Sequence, residues 1–508
     1  MAKKKAKQKK KAFRLTSSLR QHKQVGKSLI PPMLTIPGVT PQSWTNDRLP
    51  QMLWACLVIS VLPRRDALAV FREIASIGLR YRDAEGTGDW TLFHSRLPSL
   101  PGEILTHITR MITQHPLGYA ALRPLLLFDG LPGRDQWARA LDVQPQDGDS
   151  QTLSDAVLKV LDHQSQEATD VRWLSLLFKA ALGALHFPVA LKERAEELME
   201  YPNKGDMRAV RPFIRAGEMS LAMLLPSDNS WSTTFWKECL DNTVCHPAGL
   251  PRPPGPEYDQ IASIKLIQQV HGTLLGHWFN TLDTTAVDAK HDAVFGLGFY
   301  GLAVLIEMIV GRSGLGITGR ALLRTLVECR ITLAYLRHAD VGELWDKFRA
   351  FGTGQAKLAL LKLDEMSENK PSFVSLAVLE QLSNEDFFQE YVQIELGHWC
   401  GLDLRKMAEV SGTKDDYDKV YGWASTFVHG HWSALRDACM THCYNPLHRL
   451  HRVPLPGHRL LEDAVPDAVR LVNSILDDVA ALYPGFAPRV ALVAPVKEAE
   501  AGMSPLTD

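Results

Sequence analysis

Apolar residues recur at three- and four-residue spacing along nearly the whole chain, and strand-like alternation is almost absent. A period near 3.6 buries one stripe of a helix and suits no sheet, so the chain is expected to be all-α. "LPQMLWACLVISVL" running into "RRDALAVFREIASIGLRYRD" carries the pattern, as do "VRWLSLLFKAALGAL" and "VALKERAEELMEY". Pro-Gly punctuation such as "LPSLPGE", "HPLGY" and "GLPGRD" separates these segments. The strongest interruption is "HPAGLPRPPGPEYDQ", residues 246–260, whose five prolines cannot continue a helix.

That break divides 508 residues, more than one ordinary core, into two helical domains. The expected organisation is a basic disordered tail over 1–24 and a helical domain over 25–245. A Pro/Gly linker follows over 246–257, then a second helical domain over 258–485 and a disordered tail over 486–508. After the linker come "IASIKLIQQVHGTLLGHWFNTL", "GITGRALLRTLVECRITLAYLRHA" and "AVPDAVRLVNSILDDVAALY", all of helical period. "GRSGLGITGR", residues 311–320, lacks the lysine of a phosphate-binding loop and reads as a turn between helices.

The net charge of −1 conceals an asymmetry, since the chain starts "MAKKKAKQKKKAFR" and the remainder is acidic. Such a lysine block is a solvated tail, able to make nonspecific contact with RNA or another nucleic acid, or with anionic lipid, through counterion release. Residues 293–311, "AVFGLGFYGLAVLIEMIVG", are apolar enough to span a membrane but carry Glu307 and have no companion span. A helix buried on all sides in protein is expected instead, with no membrane contact. Seven cysteines without regular spacing suit reduced thiols and a cytoplasmic location.

Chemistry-bearing residues concentrate in "YGWASTFVHGHWSALRD", residues 421–437. At about 100° per residue, Tyr421, Ser425, His429, Trp432 and Arg436 share one face of a continuous helix. Gly430 threatens that continuity, which makes Tyr421, Ser425 and His429 the firmer set. On the same rule His429 and His431 point about 200° apart. Arg320, Arg324 and Glu328 form a second polar stripe at four-residue spacing, and the two stripes are expected to meet.

Two of these places also resemble a known family. "GRALLRTLVECRITLAYL", with Arg324 and Glu328, is similar to a helix of the domain-of-unknown-function family 5677. "HWCGLDLRKMAEVSG" followed by "YDKVYGWASTFVHG" resembles that family's second hallmark, a Trp-Gly segment and then a Tyr-x-x-x-Ser-x-x-x-His helix. The resemblance spans roughly residues 258–480. It implies a helical, mostly bacterial module, distantly like the HEPN domains, many of which are ribonucleases in toxin–antitoxin and phage-defence systems.

Three functions fit these residues. The first is an RNA-directed effector that cleaves without metal, with His429 moving a proton and Arg324 or Arg436 holding phosphate. The Arg-x₄₋₆-His spacing typical of HEPN ribonucleases occurs at Arg110–His115, Arg436–His442 and Arg452–His458, no more often than chance supplies. The second is zinc on "CMTHC", with Cys439 and Cys443, and on "HRLH", with His448 and His451. Cysteines at helical spacing are usually plain buried thiols, so neither metal nor cofactor is expected. The third is an interaction protein, a homodimer or a partner of another protein, in which Arg324, Glu328, Tyr421, Ser425 and His429 form a packing network. The elements G-x-S-x-G and H-E-x-x-H are absent from the sequence.

Overall fold

A computed structural model describes residues 19–35, 37, 42–84, 86–185, 192–223, 230–249, 255–365, 371–385, 388–457 and 459–495. The lysine block lies outside the described residues, as does most of the Pro/Gly break. Among the described residues helices dominate, and strands are confined to two short pairs, β1 (Lys23–Val25) with β2 (Ser28–Ile30) and β3 (Met440–His442) with β4 (Arg452–Pro454). The chain forms two compact units, Met1–Ala248 with His442–His451, and Gly249–Thr441 with Arg452–Asp508. The first unit therefore recruits ten residues from far down the chain.

In the first unit, α1 (Leu53–Val61) is an apolar run with Leu53 to Ile59 all buried, the mark of a central helix. Around it lie α2 (Arg64–Ser76), α3 (Gly102–Thr113), α4 (Asp149–Leu161), α5 (Gln166–Ala181), α6 (Met207–Met223) and α7 (Ser230–Asn242). Trp54, Trp137, Trp173 and Trp231 fill the core. Three of them donate their indole N–H to a carbonyl, Trp54 to Leu92 at 3.0 Å, Trp173 to Leu198 at 2.7 Å and Trp231 to Pro50 at 2.8 Å. These bonds let large rings be buried without stranding a donor. Arg48 pairs with Glu218, both almost fully buried, and Arg172 lies 3.6 Å from the same carboxylate.

The second unit is built on α8 (Gln260–Asn280), α9 (Ala289–Val310), α10 (Ile317–Ala339), α11 (Gly342–Glu365) and α15 (Val465–Leu482). Between α11 and α15 come the shorter α12 (Leu404–Val410), α13 (Gly422–Val428) and α14 (Trp432–Cys439). Asp259 and Asp288 cap α8 and α9 by accepting backbone N–H groups from Ala262 and from Lys290 and His291. Helix α9 packs on α15 at Gly301, whose Cβ position lies 3.4 Å from the Ile475 side chain. Asp478 of α15, buried, accepts from Arg330 and from Arg337 (2.9 Å) of α10, which clamps the two helices together.

The apolar segment 293–311 is a helix as expected, but it is not buried all round. It is long and apolar enough to cross a membrane, 56% of its apolar window is buried, and Tyr300 and Val310 on it are exposed. Residues 486–495 are not a free tail. Phe486 and Val490 are buried, Val490 exchanges hydrogen bonds with Asn473, and Val493 bonds Ser263 and Asp259. Two apolar anchors in a Pro-containing stretch suffice to dock it without helical periodicity. Residues 496–508 lie outside the described residues.

Candidate functional site

The two polar stripes meet where α10 faces the start of α13. A π-helical turn over Tyr417–Tyr421 leads into α13 and stacks the two tyrosine rings, 4.9 Å between centroids and 18° between planes. The Arg324 guanidinium donates to the Tyr421 hydroxyl at 2.9 Å, pairs with Glu328 at 3.0 Å and lies 4.9 Å over the Tyr421 ring. Burial works against its charge, yet the Tyr421 hydroxyl and the Glu328 carboxylate hold the guanidinium above its ordinary range. Arg320, one turn earlier, donates to the carbonyls of Gly314, Gly316 and Glu462 and lies 5.8 Å over Phe427 of α13. These arginines brace α10 against its neighbours, though the buried Nε of Arg324 has no hydrogen-bond partner.

The remaining predicted residues lie elsewhere, because the helix stops. His429 is the C-cap of α13, and Gly430 adopts φ +59°, a conformation that suits only glycine at low cost. The N–H of Gly430 reaches Phe427 O at 3.4 Å and that of His431 reaches Thr426 O at 2.9 Å, the double closure of a Schellman cap. His431 then starts α14. The single-helix face expected over Tyr421–Arg436 is therefore corrected to two helices. Tyr421 joins Arg324 and Glu328, Ser425 is half-buried one turn on, and His429 and Arg436 are exposed beyond them.

The same break overturns the expected divergence of the two histidines. The rings of His429 and His431 stack, 5.8 Å apart with 27° between planes. Trp423 on α13 and Trp432 on α14 flank this turn with 53% and 61% of their surface exposed, where a tryptophan in a helical pair would ordinarily be packed away. Val428 and Leu435 are exposed as well. Arg436 of α14 faces Arg452 of β4 and Arg459. Burial first, and the guanidiniums of Arg436 and Arg459 second, push Arg452 below its ordinary range. Asp437 offers partial relief, 3.8 Å from Arg459. Exposed rings beside clustered like charge form a surface that favours an anion carrying flat groups.

A cleft of about 1150 Å³ opens elsewhere in the second unit, lined by Arg349, Glu385, Tyr391, His398 and Trp399 among others. None of the residues singled out in the 421–437 stretch lines it. Trp399, from the "HWCG" segment, packs edge-on to Phe348 and Tyr335, 5.2 and 6.0 Å away, and so anchors one wall. Arg349 is spoken for by Asp292 (2.7 Å) and Glu385 (3.4 Å). The metal ligands considered from sequence are divided too. Cys439 belongs to α14 of the second unit, whereas Cys443, His448 and His451 belong to the first.

Residues 303–442, from the middle of α9 through β3, match the model described as Family of unknown function (DUF5677). The network on α10 and the whole α13–α14 turn lie inside the matched segment. No curated protein and no solved structure matches the chain.

Proposed function

Taking residues 303–442 as a module of that family, we propose that the second unit is RNA-directed and grips single-stranded RNA on the turn between α13 and α14. The observation that carries this reading is the pair of exposed tryptophans beside stacked imidazoles and an arginine cluster. Bases stack on exposed rings with little regard to sequence, while guanidiniums track the phosphates. The Arg324–Glu328–Tyr421 network then supports the turn from behind and touches no ligand. Such a module suits a HEPN-like effector of bacterial phage defence acting in the cytoplasm, with the lysine block adding nonspecific affinity.

Anisotropy of a labelled single-stranded RNA tests the proposal. Trp423→Ala and Trp432→Ala should each weaken binding by about 1–3 kcal/mol, the worth of one base–aromatic stack. Wild-type affinity in both variants would end this reading.

The paired imidazoles favour a second reading, cleavage without metal. One ring would take the 2′-hydroxyl proton as that oxygen attacks phosphorus, the other would protonate the departing 5′-oxygen, and Arg436 would offset charge on the phosphorane. His429→Ala and His431→Ala should then retain binding and lose about 10²–10⁴-fold in rate. RNA left intact by the wild-type protein removes cleavage and leaves binding.

A further inference from the structure

The first unit gathers two cysteines and two histidines that no catalytic or packing role has absorbed. Cys245 follows α7, while Cys443, His448 and His451 arrive on the ten-residue segment from far down the chain. One ligand atom from each lies within 4.8 Å of all the others. Cys245 Sγ is 3.4 Å from His448 Nδ1 and 3.3 Å from His451 Nε2, and Cys443 Sγ is 3.4 Å from His448 Nδ1. Zinc bonds of about 2.3 Å to sulfur and about 2.0–2.1 Å to nitrogen, at tetrahedral angles, require S···N edges of about 3.6 Å. The observed edges are within a few tenths of an ångström of that. We propose that Cys245, Cys443, His448 and His451 bind one zinc ion.

The surroundings fix which atoms can serve. The Thr243 hydroxyl donates its only proton to Cys239 O at 2.7 Å, so toward His448 Nε2, 2.8 Å away, it can only accept. Nε2 therefore carries the ring proton, and the Nδ1 lone pair faces both sulfurs. Asn445 Nδ2 also donates to Thr243, at 3.1 Å, and holds that hydroxyl in place. Metal-bound histidines are oriented by a partner on the other ring nitrogen in this way. Cys443 Sγ accepts the His246 N–H at 3.2 Å, which holds the sulfur in place. Without a cation, both thiols face the His448 Nδ1 lone pair and Cys245 also faces His451 Nε2. With one, every ligand atom has a role.

The backbone bends to make the cluster. Cys443 N–H reaches His451 O at 2.9 Å, and His451 N–H reaches His448 O at 2.9 Å. Between the two histidines, Arg449 and Leu450 both take positive φ, 53° and 51°, which side-chain-bearing residues avoid. The segment is also seated in the first unit's core by Leu447, and an isolated bridge joins Pro247 to Cys443. Four protein ligands leave no position open for substrate, so the ion is structural, and two thiolates with two imidazoles favour zinc over magnesium or calcium. Cys443 and His448 are buried while Cys245 is exposed, which leaves an entry side.

The test uses the full chain purified under reducing conditions. Elemental analysis should find one zinc per chain, and cobalt(II) added after zinc removal should give tetrahedral bands with thiolate-to-metal charge transfer. Cys245→Ser and Cys443→Ser should lose the charge-transfer signal in part or whole, and Cys439→Ser should keep it. Thr243→Val should keep the ligands but bind cobalt about 10–100-fold more weakly. X-ray absorption on the wild-type zinc protein should count two sulfur and two nitrogen neighbours, a readout independent of whether a variant folds. Reduced, folded protein that takes up neither metal would overturn the proposal, as would a shell of nitrogen and oxygen alone.

Discussion

Replacing Arg324 with methionine keeps a long unbranched chain on α10 and deletes the guanidinium. The variant loses the bond to the Tyr421 hydroxyl, the pair with Glu328 and the contact over the tyrosine ring. The hydrogen bond contributes about 0.5–1.5 kcal/mol once exchange with water is counted. The ion pair adds only about 0.3–0.5 kcal/mol, because the Glu328 side chain is 38% exposed and solvent screens it. The ring contact adds about 0.5–1 kcal/mol. The expected loss is thus roughly 1.5–3 kcal/mol. Tyr421→Phe keeps the ring, its stack on Tyr417 and the cation above it, and should cost only the hydrogen bond. For a cooperative unit of this size each kcal/mol lowers Tm by roughly 2–4 °C. Calorimetry should show the second unit's transition shifting by that amount and the first unit's staying put, while RNA affinity at equal folded fraction is unchanged. Variants that melt like the wild type but lose RNA would refute the reasoning and put Arg324 in the contact surface.

Burial pushes the His94 imidazole down to about 3, and the backbone N–H of Trp54 points at its Nε2 from 3.4 Å. An unfolded histidine takes its proton near about 6.5, so the unfolded state binds more protons between these values. The first unit should therefore lose stability as pH falls from about 6.5 toward 3, by up to about 1.4 kcal/mol per pH unit from this group. Melting that is equally pH-dependent in His94→Gln would count against that assignment. Asp478→Ala leaves Arg330 without its partner in a nearly closed site and should cost about 3–5 kcal/mol, seen as a large drop in the second unit's Tm. Gly430→Ala meets open space but must hold φ +59°, so it should cost about 1 kcal/mol and weaken RNA binding. A neutral result in both melting and binding would mean that the cap can be rebuilt without glycine.

The sequence made the helices legible because each carries its own evidence. The apolar run from Ala293 to Val310 follows a capping aspartate, and Arg324 and Glu328 recur at the spacing of one turn. Their meeting with Tyr421 follows from the shortage of other places for a polar stripe in a helical core. What the sequence hid depended on single dihedrals or on distant chain. Helical spacing separates His429 from His431, and the positive φ of Gly430 reunites them. Local spacing pairs Cys443 with Cys439, but the neighbouring thiol is Cys245, some two hundred residues away and without a metal motif of its own. Phe486 and Val490 dock a stretch that looks like a tail because two anchors make no period.

The most direct test of the RNA-directed reading is ultraviolet cross-linking of the full chain to a photoreactive single-stranded RNA, with the attached peptides identified by mass spectrometry. Cross-links should concentrate on residues 421–437, at Trp423, Trp432 and the two histidines, with a lesser set on the lysine block. Cross-links confined to other helices, or to the lysine block alone, would contradict that reading.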